Sequence, residues 1–145
     1  VALGRTRDRR ALPAILEKLR LLKPDSEFSH HRATALALEM IGDPQAAQPL
    51  AELLTTPGMT GYVHRTVQDA IRFDQSSPGG TNQVKARRDS IVELSLARAL
   101  FRCGDYGGIG DQVLRAYTQD LRGHLARHAA AVLAAAGKAV QQGEP

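Results

Sequence analysis

Residues 37–54 read ALEMIGDPQAAQPLAELL, and the fold turns on how Gly42, Asp43 and Pro44 are understood. Apolar residues precede and follow them at helical spacing. Gly adopts the left-handed conformation that closes a helix. Asp accepts backbone N–H bonds at the start of the next helix, and Pro fits a first helical turn, where its missing N–H costs nothing. The stretch therefore predicts a helix stop, a cap and a helix start within three residues. It is either an isolated helical hairpin or one unit of a repeat.

The rest of the chain favours the repeat. ALGRTRDRRALPAIL begins at Ala2 and ALFRCGDYGGIGDQVL begins at Ala99. In all three stretches an Ala-Leu pair precedes an Asp by the same interval: Asp8, Asp43 and Asp105. Gly42-Asp43 recurs as Gly104-Asp105. A second pattern places Arg32 and Arg127 each ten residues before a helix-ending Gly, with Arg65 opening a further helical stripe. These three arginines are expected on the second helices of successive pairs, reaching the acidic turns of neighbouring units at Asp43 or Asp105 as an inter-repeat ladder. Helices are predicted near 9–22, 28–41, 44–55, 61–74, 83–103, 107–119 and 122–136, after a helix remnant at 1–6. QSSPGGTNQ, residues 75–83, is turn-rich and is expected as a loop inserted into the array.

The pattern resembles the HEAT-like repeats of the phycobilisome lyase type. Ala37-Leu38, Ile41-Gly42-Asp43-Pro44, Ala46-Ala47, Pro49-Leu50 and Leu53-Leu54 carry the likeness, with Arg32 and Arg127. It is degenerate: Arg7 stands where Gly42 does, and Tyr106 where Pro44 does. The resemblance implies an all-α superhelix, a HEAT-like solenoid of about three helix pairs whose neighbours share a core. One domain over 1–138 is expected, as part of a longer chain because it opens on Val1, with a tail at 139–145. A narrower likeness rests on FSHHRATALALEMIGDP, SPGGTN, RRDSIVELSLARALFRCGD and DLRGHLARHAAAVL. These resemble the C-terminal helical region of large bacterial FAD-dependent oxidoreductases, which implies an appended module. No strand leading into a G-x-G-x-x-G turn is present, so no cofactor is expected on this chain.

Composition agrees with helix packing. Apolar residues make up 43% and aromatics only 4%, with no Trp. Runs of β-branched residues are missing, and no apolar run approaches the roughly 18 residues of a membrane span. Cys103 is the single cysteine, so no internal disulfide forms; it falls at a core position and is expected as a small buried thiol.

Candidate chemistry is sparse. His124 and His128 stand four apart, but no H-E-x-x-H signature is present, and His30 and His31 are adjacent. Deoxyhypusine hydroxylase, a metalloenzyme of similar architecture, carries repeated His-Glu dipeptides, and this sequence has none. No metal site is expected, and the histidines are read as hydrogen-bonded or solvated at helix starts. The net charge is +4. Arginines cluster at 5–10, and Lys85, Arg87 and Arg88 open the long predicted helix. With Tyr62 and Tyr106, Arg87 and Arg88 are the candidate binding residues. The expected function is non-catalytic: contact with another protein or another domain of the same parent. The alternative is a nucleic-acid-binding HEAT-like domain with a basic concave face, whose affinity would fall steeply with salt.

Overall fold

The computed structural model describes residues 8–75 and 82–141. The described residues form seven α-helices and no strand: α1 (Leu12–Arg20), α2 (Phe28–Ile41), α3 (Ala47–Thr55), α4 (Val67–Gln75), α5 (Asn82–Arg102), α6 (Ile109–Tyr117) and α7 (Gly123–Gln141). Short 3-10 turns at Arg9–Ala11, Pro44–Ala46 and Tyr106–Gly108 precede α1, α3 and α6. None of the described helices is long and apolar enough to cross a membrane.

The turn chemistry is local. Gly42 closes α2 at φ 65°, and its N–H donates to the Leu38 carbonyl at 2.8 Å. Asp43 then caps the next turn by accepting from the Gln45 N–H at 3.0 Å. Asp8 does the same for the Arg10 N–H at 2.9 Å. The third turn is longer. Asp105 is left-handed at φ 49°, and Gly107 and Gly108 follow at φ 69°. Its carboxylate therefore reaches further along the chain, to the N–H groups of Gly110 at 2.6 Å and Asp111 at 3.0 Å.

Three helix pairs build an all-α, HEAT-like superhelix: α1 with α2, α3 with α5, and α6 with α7. The central helix is α5, which packs on α2, α3 and α6. Leu38, Leu50, Leu54, Leu96, Leu100 and Leu114 are completely buried along these seams. Each contributes about 1.5–3 kcal/mol of apolar burial.

Two expectations need correction. The helix expected at 61–74 begins only at Val67. The segment before it is not helical, because the N–H groups of Gly61, Tyr62 and His64 donate to side chains of other elements rather than to their own helix. The second helix of the middle pair is α5, not the helix that follows Arg65. Helix α4 is an insertion that starts locally, with Asp69 accepting from the N–H groups of Arg65 and Thr66. Most of the loop expected at 75–83 falls on residues 76–81, outside the described residues, as do 1–7 and 142–145 of the expected terminal segments.

The approach of α6 to α5 is close enough to exclude a side chain. A Cβ on Gly110 would lie 2.8 Å from the Ala97 carbonyl oxygen and 2.9 Å from the Phe101 nitrogen, both backbone atoms of α5. Gly110→Ala should therefore force the helices apart and cost about 1–3 kcal/mol in urea unfolding. Gly123→Ala, which meets only the flexible end of Arg127, should leave the midpoint almost unchanged.

Candidate functional site

The insertion between α3 and α5 shapes the site. Residues 61–64 form a strap held by buried polar groups. Glu93 on α5 is 2% exposed. Its Oε1 accepts from the Gly61 N–H at 3.0 Å, and its Oε2 accepts from the Tyr62 N–H at 3.0 Å and from the Tyr117 hydroxyl at 2.7 Å. Burial raises the Glu93 pKa above the ordinary carboxylate value, and these donors oppose the rise.

A second anchor comes from the turn after α6. Asp120 accepts from the His64 N–H at 3.0 Å, and Leu121 N–H donates to the His64 carbonyl at 2.8 Å. The Arg122 guanidinium donates to Asp120 at 2.7 Å, to the Tyr62 carbonyl at 2.6 Å and to the Ser90 hydroxyl at 2.8 Å. Burial alone would raise the Asp120 pKa, but the Arg122 and backbone donors hold it below the ordinary range.

With the strap fixed, a cleft of about 600 Å³ opens between it, the turn before α2 and the first turns of α5. Pro24, Phe28, Met59, Tyr62, Arg88 and Val92 form its walls. His31 also borders it and is 2% exposed. Burial lowers the His31 pKa below the ordinary imidazole value. The carbonyls of Lys23 and Glu27 lie near enough to oppose this, yet neither ring nitrogen makes a hydrogen bond of proper geometry.

Of the residues singled out in the sequence, Tyr62 and Arg88 meet in this cleft. Arg87 is exposed beside them but does not line it. Tyr106, 53% exposed, lies in the turn beyond the opposite end of α5. His31 is the member that sequence reasoning missed. It shares a helical stripe with Thr34, Ala35 and Leu38, all buried, and that spacing is the signal of an inward-facing residue.

The expected arginine ladder is replaced by a different one. Arg32 stands over the Phe28 ring at 5.4 Å from its centroid. Arg65 borders a separate depression on the far side of the strap. Arg127 lies back along α7 beside Gly123. Asp43 instead faces Arg9 at 3.5 Å, and Asp105 is saturated by the α6 N–H groups. The inter-repeat ion pairs join Glu39 on α2 to Arg98 at 2.7 Å and to Arg102. Arg98 continues to the Nε2 of His128 on α7, at 2.8 Å. The carboxylate comes from a helix face rather than from a turn, because helix faces are what meet across the seam.

Cys103 is 1% exposed, and burial pushes its thiol up to about 12, so it is not a nucleophile at neutral pH. Among the described residues, no three His, Cys, Asp or Glu side chains converge where a metal ion could be held.

The paired helices are arranged as in a HEAT-like superhelix. The sequence model of the PBS lyase HEAT-like repeat matches residues 31–56, which cover most of α2, the Gly42-Asp43-Pro44 turn and α3. No curated protein and no solved structure matches the chain. The likeness to FAD-dependent oxidoreductases gains no support from these comparisons.

Two outcomes follow. Glu93→Gln presents an NH2 group where donors already point, so it should cost about 1–3 kcal/mol of stability and speed amide exchange at Gly61 and Tyr62. His31, His64 and His128 all have lowered pKa values, with burial the largest cause in each. The unfolded chain therefore binds more protons than the folded one just below the ordinary imidazole value. Stability should fall as pH drops from about 7 to about 5, read as the urea midpoint.

Proposed function

We propose that the chain is a non-catalytic interaction module that docks on another protein or on another domain of its parent. The observation that carries this reading is the strapped cleft: an insertion into a regular repeat, fixed by buried hydrogen bonds, that leaves a concave surface open. Repeat arrays present extended recognition surfaces of this kind, and the repeat match at residues 31–56 supports the same class. The buried polar groups Glu93, Asp120, Ser90 and Arg122 are engaged in holding the strap, so their role is architectural. In its finer form the module is an accessory C-terminal region of a larger FAD-dependent oxidoreductase. That form rests on sequence likeness alone, and a dinucleotide-binding fingerprint in the parent's reading frame tests it.

The experiment for the broader reading is crosslinking of the chain at natural abundance, followed by reconstitution with the purified partner. A protein or parent domain should bind with defined stoichiometry, and nuclease treatment should not change this. The competing reading predicts affinity for an oligonucleotide that weakens steeply with salt. That result, without a protein partner, would replace the proposal.

A further inference from the structure

Helices α2, α5 and α7 are tied together through one chain of polar groups. Glu39 on α2 is largely buried and accepts from Arg98 Nε at 2.7 Å and from Arg102, both on α5. Arg98 then turns its Nη1 to the Nε2 of His128 on α7, at 2.8 Å. The two ends of this chain differ in kind. A guanidinium donates and never accepts, so at the histidine end Nε2 has to be the acceptor. A ring that accepts at Nε2 is neutral and carries its proton on Nδ1. A protonated ring has an N–H at both nitrogens and cannot make this bond. It also sets a further positive charge beside Arg98 and Arg102, where Glu39 is the carboxylate that acts on His128. The carboxylate end of the chain has no such dependence, because Glu39 stays ionised in the same pH range.

The charged groups that act on His128 are Glu39 from α2 and Arg98 and Arg102 from α5. From α6, Asp111 and Arg115 pair with each other and are not among them, nor are His124 and Arg127 of α7 itself. Desolvation at the seam and the two arginine charges lower the His128 pKa, and Glu39 opposes them. Unlike His31 and His64, His128 is exposed. A proton reaches it without opening the core, and the ring can swing to water once the bond is lost. The start of α7 stays fixed, because Arg122 just before it donates to the Ser90 hydroxyl and to the Tyr62 carbonyl.

We propose that the Arg98–His128 contact is a proton-sensitive latch on α7. When His128 takes up a proton, the bond is lost and α7 loosens from α5 beyond its fixed start. The Glu39 pairs meanwhile keep α5 seated on α2. The protonation of His31 and His64 acts differently, since both are buried and charging them strains the whole fold. The latch goes beyond the interaction-module reading and does not depend on it.

The test follows the isotope-labelled chain by NMR from about pH 7 to about pH 5. Near neutral pH the nitrogen shifts of the His128 ring should show a proton on Nδ1 and a bare Nε2. As the pH falls, amide protection, corrected for the intrinsic pH dependence of exchange, should drop about fivefold more at Ala129 and Val132 on α7 than at Ala35 and Leu38 on α2. His128→Gln keeps an acceptor at every pH, its amide oxygen. It should hold α7 near neutral pH and abolish the extra drop, while the fall of the urea midpoint carried by His31 and His64 remains. His124→Gln, one turn earlier on the same helix, should leave the extra drop in place. The latch is overturned if the neutral His128 ring carries its proton on Nε2, or if α2 and α7 lose protection in step. It is equally overturned if His128→Gln retains the extra drop or His124→Gln removes it.

Discussion

The Glu93 carboxylate is the contact on which the rest of this structure depends. It sits on the central helix α5 and receives hydrogen bonds from the strap and from α6 at once. A buried carboxylate is expensive unless its lone pairs are answered, and here three donors answer it. The dependence runs both ways. An apolar residue of similar volume would take the acceptor from two partly buried strap N–H groups and leave the Tyr117 hydroxyl only the Ser90 carbonyl at 3.3 Å. The strap therefore takes its path because Glu93 is there, and Glu93 is tolerated because the strap is there. Tyr117 is completely buried, so the same contact also sets where α6 ends against α5.

This mutual dependence explains what the sequence reveals and what it hides. The Gly42-Asp43-Pro44 stop and start is legible because its chemistry is confined to neighbouring residues. The same holds for Asp8. At Asp105 the signal survives, but the two following glycines move the capped N–H groups from two residues downstream to five and six. The strap is invisible in the same reading, since its partners lie about thirty and nearly sixty residues away. Local spacing therefore predicts a helix over 61–66 whose hydrogen bonds these residues do not make. Helix α5 hides its role for a related reason. It is buried on several sides, and Ser90 and Glu93 on its inner surface look like solvent-facing residues until their partners are known.

The candidate residues divide in the same way. Tyr62 and Arg88 were identified through residue type, as an aromatic and a cation near a helix start, and the fold brings them to one cleft. Arg87 and Tyr106 satisfied the same criterion, but the helix register and the turn carry them elsewhere. The sequence places His31 at a helix start, where solvent or a hydrogen bond would satisfy it. Its place on the buried stripe with Thr34, Ala35 and Leu38 removes it from solvent. The turn before α2 brings the Lys23 and Glu27 carbonyls near the ring, without a hydrogen bond of proper geometry.

The arginines fall into two groups. Arg98 and Arg102 converge on Glu39, which is largely buried. Such pairs gain from their shielding, provided that the carboxylate is well surrounded. Arg122 is enclosed by Asp120, Ser90 and a backbone carbonyl. These three stabilise seams, and each has its acceptors within the fold. Arg32 and Arg88 instead share an aromatic ring and have no acceptor among the described residues. The repeat supplies the frame on which the cleft is built. The insertion fixes the strap, and the strap gives Arg88 an apolar cleft to border. The cleft thus forms where the array departs from its own period, beside a helix whose buried side is committed to holding it together.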